Sequence, residues 1–259
     1  MDIADVSRAA ARGLKRAAPA LVSVILILLG WEVYVDLSGI SATALPAPSR
    51  VAAQGWQARA VLAENALATL TATLSGFAVS LACAFVLSVA IDFVPLLRRA
   101  LFPVFVISQT LPLVAIAPLV VLWFGFGLLP KILLVALVTF FPMLVALVDG
   151  YEATDRDITR LLRSMGAGRG QVFWRARLPS ALPFFFAGLR ISITYAVVAA
   201  IFAEYAGAAR GLGIFILNAK NNFRPDLVLA AVFVSSALTL ALFALAVLAQ
   251  YIAQPWRRG

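Results

Sequence analysis

Five stretches of this chain run without a single formal charge: Ala17–Trp31, Ala66–Ile91, Ala100–Pro130, Ile132–Val148 and Leu227–Ala253. A sixth, Leu178–Gly207, is interrupted only by Arg190 and Glu204. A helix needs about 20 mostly apolar residues to cross the hydrocarbon of a bilayer. A soluble domain devotes about 25% of its residues to Asp, Glu, Lys and Arg, whereas here the share is 13%. The expectation is an all-α integral membrane protein, with six transmembrane helices as the simplest count.

The net charge of +9 could suggest nucleic acid, but its placement argues against that. With the N-terminus inside, the cytosolic segments hold Arg8, Arg12, Lys15, Arg16, Arg98, Arg99, Arg156, Arg160, Arg163, Arg169, Arg175, Arg177, Arg257 and Arg258. Those are 14 of the 21 basic residues. The outer side holds Arg50, Arg59, Lys131, Arg210, Lys220 and Arg224, and Arg190 lies inside a helix. Lys and Arg enrichment in cytosolic loops is the positive-inside pattern. Basicity here sets orientation, with both termini cytosolic, and no nucleic-acid partner is expected.

The chain has no histidine and one cysteine, Cys83, in an apolar run. No metal site, cofactor site or catalytic constellation can be built from that inventory. The expected organisation is a cytosolic N-terminal segment (1–16), one transmembrane domain (17–253) and a cytosolic tail (254–259). LPAPSRV, from Leu45 to Val51, reads as extended or turn backbone followed by a short surface helix. The run 100–130 holds Pro103, Pro112 and Pro118 and is too long for one straight span. It reads as an entry segment, a kinked helix 3 and an outer turn at Phe124–Gly127. Helix 4 is placed at Lys131–Val148 and helix 5 from about Ala181.

Between those two helices lies a polar, arginine-rich insert within 151–178. Ile158, Leu161, Leu162 and Met165 fall at i, i+3, i+4 and i+7, the one-sided stripe of an amphipathic helix. Thr154 and Asp157 suggest its start and Gly166 its stop. A second short element, Gln171–Arg177, leads to Leu178-Pro179. GAGRG is not a phosphate loop, because no Lys-Ser/Thr follows it.

Gly166, nine residues, Ala176 and then Leu178-Pro179 resemble the G-x9-I-x-L-P signature of inner-membrane permease subunits of binding-protein-dependent ABC importers. Alanine stands where isoleucine is usual, and Arg160-Leu161-Leu162 occupies the place of the family's E-A-A triplet. Leu111 to Gly127 (LPLVAIAPLVVLWFGFG), followed by Lys131, is similar to the sulfonate-, taurine- and nitrate-type permeases, as is LPAPSRV. Leu178 to Tyr195, Glu204, Gly207 and Gly211-Leu212-Gly213 look like members that handle thiamine pyrimidine precursors or riboflavin. The resemblance covers roughly 60–250.

It implies the type I ABC importer permease fold, with a cytosolic coupling helix between helices 4 and 5. It also implies an inner-membrane homodimer, two ATPase subunits that hydrolyse ATP in place of this chain, and an extracytoplasmic solute-binding protein. The ATPase-docking residues would be Ile158, Leu161, Leu162, Met165, Gly166, Ala167, Leu178 and Pro179, in a helix-in-groove contact. The substrates it suggests are, in order, a small aromatic vitamin or its pyrimidine precursor, a sulfonate or taurine, and nitrate or bicarbonate.

Ionisable groups inside a span are functional candidates by default, which points to Glu204. A position at the outer interface, paired with Arg210 or capping a loop, is the competing reading. Gln109 and Pro112 are further candidates for the translocation path or gate, against ordinary helix packing. Arg190 is placed near the cytosolic end of its helix. An ion-driven secondary transporter would need inverted repeats and acidic relays, for which Glu204 alone is available.

Overall fold

The computed structural model describes residues 3–254, with side chains at 18, 19 and 22–254. The side chains expected to hold the N-terminal segment inside (Arg8, Arg12, Lys15, Arg16) and the tail from 255 onward, with Arg257 and Arg258, lie outside the described residues. The chain divides into two units, Met1–Arg59 with Ala219–Ala230, and Ala60–Asn218 with Ala231–Gly259.

The first unit begins with α1 (Ile3–Ser38) and α2 (Pro48–Gln57). Ala47 is extended (φ −65°, ψ 148°) because Pro48 follows it, and Pro48 then opens α2. Glu32 of α1 accepts the Ser49 N–H at 2.9 Å and its hydroxyl at 2.5 Å, which ties the start of α2 to α1. In the same unit Arg224 donates to Gln54 at 2.8 Å and pairs with Asp226 at 3.0 Å.

The second unit is built on α3 (Arg59–Phe93), α4 (Pro95–Thr110), α5 (Leu113–Phe124), α6 (Leu128–Glu152), α7 (Arg156–Ser164), α8 (Arg169–Val172) and α9 (Leu178–Tyr205). α10 (Leu212–Asn221) and α11 (Pro225–Ala253) run across the unit boundaries. Among the described residues α6 and α9 pack extensively against each other. Their approach depends on small residues: a Cβ on Gly188 would lie 2.5 Å from that of Ala146. Close backbone approach at Gly and Ala is how helices gain contact in lipid, where burial against lipid tails gives no driving force. Ser192 of α9 adds a hydrogen bond to the Thr139 carbonyl of α6 at 3.2 Å.

Leu111 decides the path of the longest apolar run. It precedes Pro112, so helical backbone is disfavoured there. Its φ of −72° and ψ of 126° end α4 at Thr110. α5 restarts beyond Pro112 at an angle of 100° to α4. The single kinked helix expected over this region is thus two helices with a sharp corner. Phe105 against Phe140 (5.2 Å between ring centres) and Phe102 against Phe141 (6.3 Å) hold α4 on α6. The expected outer turn falls at Gly125–Gly127, where both glycines have positive φ.

A second correction concerns helix 5. The element expected at Gln171–Arg177 is α8 followed by a π turn, Phe173–Arg177, and it runs directly into α9 as one helical stretch from Arg169 to Tyr205. Among the described residues four helices are long and apolar enough to cross a membrane: α3, α6, Arg169–Tyr205 and α11. The bent pair α4–α5 makes a fifth if counted as one span.

Candidate functional site

The polar insert folds as the periodicity indicates, with its cap one residue later than expected. Asp155, not Thr154, is the N-cap of α7, and its carboxylate accepts the Asp157 N–H at 2.8 Å. At the other end the Gly166 N–H donates to the Arg163 carbonyl at 3.0 Å and the Ala167 N–H to Leu162 at 2.9 Å. These are the paired bonds of a Schellman turn. Gly166 has φ 84°, with open space where a Cβ would go. A side chain there would meet a backbone penalty rather than a collision.

Ile158, Leu161 and Met165 are 49%, 62% and 75% exposed, while Leu162 and Ala167 are half-buried. Ile158 and Leu161 on α7, and Met165 at its C-cap, therefore present apolar side chains outward from an otherwise largely polar segment. Gly166 and Pro179 are also exposed, and Leu178 packs inward beside Leu147, Tyr151, Phe173 and Ala181.

Phe173 joins this insert to the membrane helices. It is 1% exposed and lies between Phe93 at the end of α3 (5.6 Å) and Tyr151 near the end of α6 (5.2 Å). Two ion pairs, Arg177 with Asp92 and Arg98 with Glu152, add polar ties at the same end. Sequence reasoning passed over Phe173; its one signal was an aromatic pair, Phe173-Trp174, inside a polar stretch. The π turn around it is a feature often found at functional sites.

The opposite end of the same helices holds a buried polar cluster. Glu204 is fully enclosed, and its carboxylate accepts the Thr69 hydroxyl at 2.9 Å and the Gly213 N–H at 2.7 Å. Lys131 is 3.7 Å away and also donates to the Arg210 carbonyl at 2.9 Å. Asn65 accepts the Gly211 N–H and Thr69 the Leu212 N–H, each at 2.8 Å. Three consecutive N–H groups at the start of α10 thus find side-chain acceptors from α3 and α9, which meets the demand of an exposed helix start. Gly211 has φ 140°, and a Cβ there would fall on the Glu204 carboxylate.

Glu204 pairs with Lys131, not with Arg210, which instead meets Glu64 at the surface at 2.8 Å. The partners Asn65, Thr69 and Lys131 were not found from the sequence; the only hint was one lysine at the start of an apolar run.

The corner between α4 and α5 borders a cavity of about 230 Å3 lined by Ser108, Gln109, Leu111, Leu137, Tyr195 and Val198 among others. Among the described residues no formally charged side chain lines it. The Gln109 amide reaches only 3.5 Å from the Leu137 carbonyl. Pro112 sits at the corner itself and does not line the cavity. Arg190 donates to Gln250 of α11 at 2.7 Å.

Four span-length helices and one bent pair, with an amphipathic insert exposed at one end, define a multi-span helical membrane protein. The signature of the binding-protein-dependent transport system inner membrane component matches residues 76–259. The riboflavin transport system permease protein of Chloroflexus aurantiacus is 37% identical over 92% of this chain and 91% of its own length. The formylaminopyrimidine transport permease protein of Halalkalibacterium halodurans is 34% identical over 95% and 98%. The taurine transport system permease protein of Escherichia coli is 30% identical over 88% and 86%. The chain belongs to the inner-membrane permeases of binding-protein-dependent ABC transport systems.

One structural consequence is testable at once. Gly166→Val should strain the Schellman turn by about 1–2 kcal/mol, the cost of left-handed backbone for an ordinary residue. Amide exchange across 156–168 should quicken severalfold while exchange in α6 and α9 stays unchanged. Unaltered exchange in α7 would show that the turn does not depend on glycine.

Proposed function

We propose that residues 17–253 form one permease domain of six spans, with α1 as the sixth, working as a homodimer in the inner membrane. Both termini and the module at 151–178 face the cytosol. Two ATPase subunits dock on the two modules, and an extracytoplasmic binding protein delivers solute at the Glu204 end. ATP binding draws the modules together and turns the path outward; hydrolysis resets it. The observation that carries the docking role is the apolar stripe Ile158, Leu161 and Met165, left exposed on a charged helix. Leu162, Gly166, Ala167, Leu178 and Pro179 shape and anchor that stripe rather than extend it.

Phe173 makes the mechanism specific. Its ring is enclosed by aromatic side chains near the cytosolic ends of α3 and α6, so a displacement of the module is passed to two spans at once. Close-packed contacts of this kind transmit strain because they leave no room to absorb it.

The proposed solute is a small neutral heterocycle of the riboflavin or thiamine-pyrimidine kind. Two relatives that carry those names support the reading at 37% and 34% identity. The uncharged cavity supports it too, with Gln109 positioned to hydrogen-bond a neutral ring. Glu204 serves as an anchor for α10 and Pro112 as the corner that shapes the cavity. A sulfonate or taurine is the second reading, favoured by the 30% identity to the taurine permease. Uptake of labelled riboflavin, formylaminopyrimidine and taurine, in vesicles holding the ATPase and binding protein, decides between them. The first two should compete with each other and taurine should compete with neither; taurine uptake alone would reverse the assignment.

The orientation is tested by labelling single cysteines in a Cys83→Ala background. Arg169→Cys should be inaccessible from outside in intact cells, and Pro46→Cys accessible. The opposite pattern would invert the whole map.

A further inference from the structure

The end of the second unit assigned above to the cytosol holds a polar cavity of about 220 Å3 whose lining includes none of Ile158, Leu161 and Met165. Arg163, Arg169 and Arg177 line it, with Asp92 and Pro95. Arg177 is matched by Asp92. Arg163 and Arg169 form no ion pair among the described residues, so the cavity keeps two uncompensated guanidinium groups. Concentrating like charge in a concavity raises the local potential and favours an anion there.

Guanidinium forks suit phosphate oxygens better than a point charge does. The position of the cavity at the helix ends points to where the phosphate comes from. Asp92 lies one residue before the end of α3, a span-length helix, and Pro95 opens the next helix. Arg177 directly precedes the apolar face of α9. The cavity is therefore bordered by the ends of two apolar helices, which is the level of lipid headgroups. Basic cavities at that level on the cytosolic side take anionic headgroups.

We propose that Arg163 and Arg169 form a binding site for an anionic phosphate, supplied by a phospholipid headgroup of the cytosolic leaflet. Occupancy would neutralise the cavity and hold the end of α7 and the start of α8 against the membrane surface. The placement on the cytosolic face rests on the orientation proposed above, which the labelling at position 169 tests separately.

The test is a titration of the purified full chain in uncharged detergent, reading its thermal unfolding midpoint. The additions are phosphatidylglycerol, phosphatidylcholine and inorganic phosphate, each used alone. Phosphatidylglycerol should raise the midpoint saturably, and phosphatidylcholine should not. In Arg163→Gln/Arg169→Gln the concentration needed should rise about 30-fold, as expected for removing two basic groups near a membrane surface. Arg156→Gln/Arg160→Gln, which makes the same charge change on α7 outside the cavity, should titrate like the parent. If inorganic phosphate reproduces the response at the same two arginines, the site stands and its ligand is a free phosphate, which overturns the lipid source. An unchanged titration in Arg163→Gln/Arg169→Gln, or an equal loss in the control pair, overturns the site.

Discussion

Glu204→Ala should destabilise the protein by about 3–5 kcal/mol, the range seen when one partner of a buried ion pair is removed. The loss has two sources. Lys131, itself largely buried, would keep only the Arg210 carbonyl, and the Gly213 N–H would lose its acceptor. Glu204→Gln should cost less, since its amide oxygen can still accept from Gly213, while the charge facing Lys131 disappears. Glu204→Gln combined with Lys131→Met should recover part of that loss, because no unpaired charge then remains buried. Thermal unfolding in detergent ranks the three variants. A fully stable Glu204→Ala protein that had lost only uptake would return Glu204 to the translocation path.

Leu161→Glu should leave stability unchanged and remove the ATPase. Leu161 is largely exposed, so the substitution places no charge inside this chain. In a docked complex the same carboxylate enters an apolar contact, with a desolvation cost of several kcal/mol if unpaired. Arg160→Ala is the matched comparison. Among the described residues its guanidinium meets Asp157 alone, at 3.2 Å, and both side chains are more than three-quarters exposed. Exposed pairs of this kind contribute about 0–1 kcal/mol. Solute-stimulated ATP hydrolysis in reconstituted vesicles should therefore be lost in Leu161→Glu and kept in Arg160→Ala. The reverse order would place the docking face on the charged side of α7.

The parts legible in the sequence were those governed by local rules. Uncharged runs located the span-length helices, and a 3.6-residue stripe with a terminal glycine located α7 and its stop. Two local signals act more strongly than the hydropathy pattern suggests. A residue before proline resists helical backbone, so Leu111-Pro112 called for a corner where a kink was expected. Leu178-Pro179 looks like a fresh helix start, yet the π turn before it, with the Leu178 N–H donating to the Phe173 carbonyl, carries the helix through.

What remained hidden was long-range. Glu204 finds Thr69 and Lys131 across wide gaps in sequence, and Phe173 finds Phe93 and Tyr151 only once α3, α6 and α9 have packed. No periodicity encodes such pairings. Arg210, the nearest arginine in sequence, was an attractive partner for Glu204 for that reason, although the fold turns it outward to Glu64.

The most direct measurement is solute uptake by liposomes that contain the chain purified from its native membrane with whatever subunits it retains. An ATP-hydrolysing subunit should co-purify in equal number with this chain. Uptake should then require ATP inside the liposomes, the side the docking modules face, together with the binding protein outside, and should survive collapse of the ion gradients. Uptake that proceeds without ATP and stops when an ion gradient is dissipated would contradict a permease coupled to ATP hydrolysis through α7.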